Sequence, residues 1–233
     1  MLGNDLAALN AERRARRAAL LVTDLQDGRS RLVREGDAVE AALREPVAKA
    51  FRSGKSARVE VEGRPLFLNV HVPPARIVVI GAVHISQGLA AMAGIAGFDL
   101  MIIDPRTAFA TPERFAGVDL VADWPEDVLK IRPLDAYTAV VAVTHDPKID
   151  DFPIEAALRK GCFYVGALGS RKTHSKRVER LKAAGLDDAA IARISAPIGI
   201  DIGASSPGEI AVAILADIIR ALRQRDVAAA GEA

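Results

Sequence analysis

The chain has 233 residues, half of them apolar and 26% charged, with 31 basic against 30 acidic side chains and a formal charge of +1. Those values predict an ordinary globular protein of one or two domains with a substantial core. They exclude the broad basic footprint of a nucleic-acid binder, and 4% aromatic residues leaves few platforms for stacking bases.

From the N-terminus, MLGNDLAALNAERRARR has no continuous apolar core of the kind a secretory signal needs. The cluster Arg13, Arg14, Arg16 and Arg17 reads as the solvated face of a helix that also carries Leu6, Leu9 and Leu20. ALLVTDL and SRLVRE flank Asp27-Gly28, which predicts a hairpin. Residues 38–52 have a helical pattern that Gly54 ends, and two alternating segments around Gly63 predict a second hairpin. Pro73-Pro74 punctuates the chain, so residues 1–72 are expected to form a small α+β domain and 73–233 a second domain.

Strand and helix patterns alternate from Arg76 onward, as a doubly wound parallel sheet requires. Strands are expected over 77–80, 100–103, 120–122, 139–143 and 163–165, with the Val/Ile content of strands covered on both faces. The last helix carries an N-cap Ser206, a first-turn Pro207 and a capping-box Glu209, then Ile210, Ile214, Ile218 and Leu222 along one face. The tail, residues 227–233, is expected to fray. No apolar run reaches the roughly 18 residues of a membrane span. A single cysteine, Cys162, fits a reducing compartment, so a cytoplasmic protein without membrane or nucleic-acid partners is expected.

Four loops follow these strands and gather at the end of the sheet where such folds bind ligands. The first, GAVHISQG (81–88), precedes a helix, and Asp104 closes the next strand 23 positions after Gly81. That is the layout of a dinucleotide site, with phosphate on the helix N-terminus and the acid on a ribose hydroxyl about 20 residues on. It departs from Gly-x-Gly-x-x-Gly by placing Val83 and Ser86 at the second and third glycine positions. His84 opens the helix, directed at any ligand on the turn or packed on the neighbouring loop.

The second loop, THDPKIDD (144–151), offers His145 and Asp146 with further charges. It can bind metal, act as acid–base or orient a cofactor; it can equally be a polar loop whose Asp146 caps the next helix. The third, GALGSRKT (166–173), combines Gly166, Gly169, the capping residue Ser170 and the cation Arg171. It resembles an anion cradle or a plain strand-to-helix turn. The fourth, PIGIDIGASSPGE (197–209), runs through Asp201 and Gly203 to Ser206 at a helix N-terminus, favouring an anion unless its acid is structural. His71 and His174 are expected at the surface and Cys162 as a buried small hydrophobe. No nucleophile–base pair, phosphate loop or metal-ligand spacing is visible, so the residues argue for binding more strongly than for catalysis.

In this order the loops, with IIDPRTAFATPERF between the first and second, resemble the XdhC/CoxI family over roughly residues 76–220. These are accessory proteins of xanthine dehydrogenase, carbon monoxide dehydrogenase and related molybdenum hydroxylases. The resemblance implies a Rossmann-like domain that binds the molybdenum cofactor, as molybdopterin or its dinucleotide, and delivers it to the apoenzyme without catalysis. It also implies contact with a cysteine desulfurase and allows a homo-oligomer. His84, Asp104, His145, Asp146, Gly166, Gly169, Ser170, Arg171, Asp201 and Gly203 match family motif positions. The chain departs from the family's G-A-G-H at Val83, and from its N-terminal G-G-C-V-E at Gly36-Asp37-Ala38-Val39-Glu40, which has no thiol. Two other readings stand beside the carrier: an NAD(P)-dependent oxidoreductase, with Arg106 near enough to accept a 2′-phosphate, and a scaffold that works through protein contacts alone.

Overall fold

The structure, a computed structural model, describes residues 2–225. The segment expected to fray, 227–233, lies outside them. The chain divides into two compact units: one runs to Pro73 and takes up the chain again at Arg223, and the other is Pro74–Leu222.

In the first unit, α1 (Leu2–Arg14) precedes β1 (Ala19–Asp24), β2 (Ser30–Arg34), a 3-10 turn (Ala41–Leu43), α2 (Arg44–Ser53), β3 (Ala57–Val61) and β4 (Arg64–His71). The strands pair antiparallel in the order β2-β1-β4-β3, and both expected hairpins form. At the second, Glu62 and Gly63 take φ of 52° and 75°, the two-residue turn whose twist suits a hairpin. Leu66, Leu68 and Val70 alternate into the core of β4, against Val47 and Phe51 of α2.

Four expectations need correction here. Leu20 is on β1, not on a helical face with Leu6 and Leu9, because the helix stops at Arg14 and the chain turns at Arg16 with φ of 52°. Arg17 and Arg34 bond the buried Glu12 carboxylate at 2.6 and 2.9 Å, so part of the basic cluster neutralises a buried acid. The helix expected from residue 38 begins only at Arg44, after the 3-10 turn. His71 is half-buried, not a surface residue; its Nε2 is buried without a partner among the described residues, and burial and the charge of Arg13 depress its pKa.

The second unit contains β5 (Arg76–Ile80), α3 (His84–Ala93), β6 (Asp99–Ile103), β7 (Asp119–Val121), α4 (Pro125–Ile131), β8 (Thr138–Ala142), α5 (Pro147–Arg159), β9 (Tyr164–Ala167), α6 (Arg171–Ala183), α7 (Asp188–Ile191), β10 (Ile194–Ser195) and α8 (Pro207–Gln224). All six strands are parallel, in the order β7-β6-β5-β8-β9-β10. This is the doubly wound Rossmann order, in which the direction of strand addition reverses between β5 and β8. The expected strands form with ends shifted by one or two residues, whereas β10, only two residues long, carries no periodic signal to read.

Successive side chains feed opposite faces of this sheet. Val78, Ile80, Val140 and Val165 join one core, and Ile77, Val79, Val141 and Tyr164 the other, which explains the near-continuous apolar runs. Ala211, Ile214 and Ile218 bury one stripe of α8 in the second core. Cys162 is fully buried, and burial pushes its thiol up to about 12, so it serves as packing rather than as a nucleophile.

The loop before α8 is seated by a close approach. Gly199 has φ of 87°, and a side-chain carbon there would lie 2.9 Å from the Ala213 carbonyl carbon and 3.0 Å from the Ile214 nitrogen. Backbone cannot step aside as a flexible side chain can. Gly199→Ala is therefore expected to cost about 2–3 kcal/mol, combining left-handed strain with overpacking. Urea unfolding would register this as a lower midpoint at unchanged slope.

Candidate functional site

The opening turn is built around Asp104. Fully buried at the end of β6, it accepts hydrogen bonds from the Ala82 N–H (2.7 Å), the Arg106 N–H (2.9 Å) and Arg106 Nε and Nη2 (2.9 and 2.8 Å). Burial pushes its carboxyl up, but the bonds from Arg106 and the two backbone amides outweigh that and hold it below the usual carboxylate range. Both oxygens thus clamp the glycine turn instead of facing a ribose. Gly81, with φ of 120°, lies against Thr144, whose Cγ2 would stand 2.9 Å from an added side-chain carbon. The turn after β5 and the turn after β8 meet there.

Val83 takes φ of −109° and ψ of 177°, extended backbone that any residue adopts. Its side chain is half-buried against the core beneath α3, so part of the valine is turned into the protein. Ser86 fills the third glycine position by donating to the Gly81 carbonyl (2.5 Å) from a fully buried hydroxyl. His84 is exposed at the first position of α3, whose first turn has no acid. Arg114 donates to the Ala82 carbonyl at 3.0 Å, and Arg106 stacks 4.6 Å over the Phe109 ring. A helix start with no acid in its first turn and the Arg114 guanidinium near it suits an anion.

Across the reversal point, His145 is exposed and takes φ of 66°, a conformation rare outside glycine. Asp150, buried in the first turn of α5, holds it there. One Asp150 oxygen accepts from Thr144 Oγ1 (2.7 Å) and the other from the His145 N–H (3.1 Å), while the Asp146 N–H donates to Thr144 Oγ1 (3.0 Å). Burial pushes Asp150 up to about 6, although Thr144, the charge of Arg177 and the His145 amide pull the other way. Asp146 also caps α5, its Oδ1 accepting from the Lys148 N–H at 3.0 Å. The capping role expected for Asp146 is realised, and it leaves His145 facing solvent at the sheet's end.

The third loop divides by role. Gly166 is packed under the fourth loop: a side-chain carbon there would fall 2.7 Å from both Ile198 and Tyr164. Its bareness accommodates protein, not a ligand's approach. Gly169, with φ of 141°, leads to Ser170, which caps α6 by accepting from the Thr173 N–H at 3.2 Å. Arg171 is exposed, and the first turn of α6 has no acid to offset it. His174, expected at the surface, is half-buried, and its Nδ1 has no partner among the described residues; burial and the charge of Arg177 depress its pKa.

At the fourth loop, Asp201 is exposed and accepts from the Gly203 N–H at 3.2 Å, a local turn bond. Ser206 and Glu209 form the expected capping box: Ser206 Oγ accepts from the Glu209 N–H (3.2 Å), and Glu209 Oε2 from the Ser205 and Ser206 amides (2.7 and 2.9 Å). Those amide bonds hold Glu209 down at about 2. The start of α8 therefore carries its own anion, contrary to the expectation that it would attract one. Between the third and fourth loops lies a cavity of about 470 Å³, lined by Leu168 and Arg171 on one side and by residues 197–202, Ala204, Ile210 and Ala213 on the other.

Residues 77–218 match the XdhC Rossmann domain family, well over half of the chain. The chain belongs to the XdhC family. Among its relatives, the XdhC chain is 31% identical to the uncharacterized protein YqeB of Escherichia coli K12, over 66% of this chain and 29% of that protein. It is 30% identical to a protein of Bacillus subtilis 168 named as a probable xanthine dehydrogenase component, over 66% and 45%. It is 28% identical to the molybdenum cofactor insertion chaperone PaoD of E. coli K12, over 63% and 40%. The chain thus spans less than half the length of these curated relatives. A crystal structure of a xanthine dehydrogenase from Bacillus halodurans shares the fold at a TM-score of 0.62 and 22% identity, over 96% of this chain and 65% of that one. No helix among the described residues is long and apolar enough to cross a membrane.

The sequence does not reveal the roles of two groups in this XdhC domain, Asp150, which it offers only as one of the second loop's carboxylates, and Arg177. Asp150 lay within the second loop, but its partners are fixed only when α5 folds back on Thr144. Arg177 is buried beside it, donating to the Leu168 carbonyl at 3.1 Å with Nε and Nη1 unpartnered among the described residues. Its place in an otherwise solvated basic helix, RKTHSKRVERLKA, gave no signal of burial.

Proposed function

We propose that this chain is a maturation factor for molybdenum hydroxylases and holds the molybdenum cofactor at the C-terminal edge of its parallel sheet. The reading is supported by one observation above the others. Where strand order reverses, the acid-free start of α3 stands with exposed His84 on one side and the left-handed, exposed His145 on the other. An anionic group suits that place, because the dipole at the start of α3 favours negative charge. The cofactor's phosphate would lie at the turn 81–84, with Arg114 adding positive potential. When bound, the cofactor carries the molybdenum–sulfur chemistry that a hydroxylase uses. This chain's own residues bind, orient and shield it.

A relative named as a molybdenum cofactor insertion chaperone supports the same assignment. In this proposal the partners are a hydroxylase apoenzyme and a cysteine desulfurase, and the setting is the cytoplasm. The NAD(P)-dependent oxidoreductase is disfavoured, since the carboxylate needed for the ribose is already saturated by four donors. Anaerobic equilibrium titration with purified molybdenum cofactor tests the reading. Saturable binding near one equivalent is expected, with His145→Ala about tenfold weaker. Absence of saturable binding, or saturation by NADH in its place, would contradict it.

A further inference from the structure

A buried cation of the second unit touches no acid among the described residues. Arg177 is only 2% exposed, although it belongs to a helix of solvated cations. Its side chain leans back toward the start of α6, where Nη2 donates to the Leu168 carbonyl at 3.1 Å. Nε and Nη1 are buried with no hydrogen-bond partner among the described residues. A guanidinium removed from water is costly unless an opposite charge offsets it.

Two carboxylates of α5 act on that charge. Asp151 is taken up by Arg180, which bonds it through Nε and Nη2 at 2.5 and 3.0 Å. Asp150 is 1% exposed and bonds no cation; its oxygens accept from Thr144 Oγ1 and the His145 amide. Arg177 and Asp150 are thus two buried, opposite charges that act on one another without a direct bond. The other charged groups nearby are engaged, exposed or neutral. Arg106, from the loop after β6, feels the charge of Asp150 but is bonded to Asp104 through two nitrogens. On α5 itself, Asp146 caps the helix and Lys148 is exposed. On α6, His174 stands one turn before Arg177, and burial favours its neutral form. The His145 side chain and the charged side chains of α4 and α7 are exposed.

Resting on the carrier reading, we propose that Arg177 is a positioning residue of the cofactor site: it supplies the countercharge for the Asp150 carboxylate, which in turn holds His145 in its left-handed turn. The guanidinium is inaccessible and does not touch the cofactor. Its charge reaches the site in two steps, from guanidinium to carboxylate and from carboxylate to the His145 amide. Without that charge, Asp150 is a lone buried acid that takes up a proton more readily. Its bond to the His145 amide then loses charge assistance, and the turn is held less firmly.

Carbon-13 NMR of the Asp150 carboxyl, assigned by its loss in Asp150→Asn, tests the first step without cofactor. The wild-type midpoint is expected at about pH 6, and Arg177→Met should raise it by at least about one pH unit. Arg177→Lys keeps the charge and should cancel at least about half of that rise. The His145 amide shift should titrate with the same midpoint in each protein, which tests the second step. A packing role alone would lower stability and leave both midpoints where they were. Titration with purified molybdenum cofactor at pH 7 then reads the effect on the site. Arg177→Met should bind about fivefold more weakly than wild type, but no more than about twofold more weakly when Asp150→Asn is already present. If Arg177→Met does not fold, Arg177→Gln replaces it in every measurement. An unmoved midpoint, a His145 amide that does not follow Asp150, or equal losses of affinity in the two backgrounds would overturn the proposal. If both midpoints move together but wild type does not bind the cofactor, only the carrier reading fails. If wild type binds it and Arg177→Met changes neither midpoint nor affinity, only the role of Arg177 fails.

Discussion

Asp104→Ala is expected to destabilise the Rossmann unit by about 3–5 kcal/mol, the range for breaking one side of a buried ion pair. The carboxylate is inaccessible and accepts from Ala82, from the Arg106 amide and from two nitrogens of the Arg106 guanidinium. Its removal leaves a buried amide unpaired and frees the turn that opens α3. The pH dependence has a definite sign. Because its pKa is lowered on folding, Asp104 contributes stability above the ordinary carboxylate pKa and loses it as pH falls through the folded value. Urea unfolding of wild type and variant should therefore show a wide gap at pH 7 that narrows in the acid range, below about pH 4. A gap of less than about 1 kcal/mol at pH 7 would mean that the clamp is not formed.

Asp150→Ala is the second large effect, and its pH dependence has the opposite sign. Asp150 fixes Thr144 and the His145 amide, so alanine leaves both unsatisfied and empties a buried site; about 3 kcal/mol is expected at pH 5. Burial raises the native pKa to about 6, so the folded state holds its proton more tightly than the unfolded chain. The stability this group provides is present below about pH 4 and is lost as pH rises to about 6, by up to about 3 kcal/mol. The cost of Asp150→Ala should thus shrink between pH 5 and pH 8. Asp150→Asn keeps an acceptor and should flatten the slope across pH 4–6. Because His145 depends on Asp150 for its left-handed turn, the alanine variant should also weaken cofactor binding at temperatures where it remains folded. A cost that grows with pH would contradict this assignment.

Much of this architecture was legible because periodic burial writes itself into sequence. The three central strands of the parallel sheet, β5, β6 and β8, carry continuous apolar runs since both faces are covered, and Ser206, Pro207 and Glu209 announce a helix start by local chemistry alone. Loop order identified the family for the same reason, each loop being a short contiguous segment. What stayed hidden depends on distant partners. The spacing of Asp104 marked it as a ribose acid, yet its neighbour Arg106 and the Ala82 amide consume its oxygens once the turn closes. Gly166 looked like a place for a ligand to approach, but Ile198, 32 residues later, fills that space. Leu20 resembled a helical position until the turn at Arg16 moved it into a strand. Arg177 shares a helix with solvated cations, and only the packing of α6 on α5 and the bond to the Leu168 carbonyl decide that it is buried.

Hydrogen exchange of the backbone amides, with and without molybdenum cofactor, tests the central claim most directly. Protection should rise at residues 81–86 and 144–146, the two turns flanking the β5–β8 reversal, and leave the amides of the four-stranded antiparallel unit unchanged. Protection confined to that antiparallel unit, or unaltered exchange at both turns under saturating cofactor, would contradict the account.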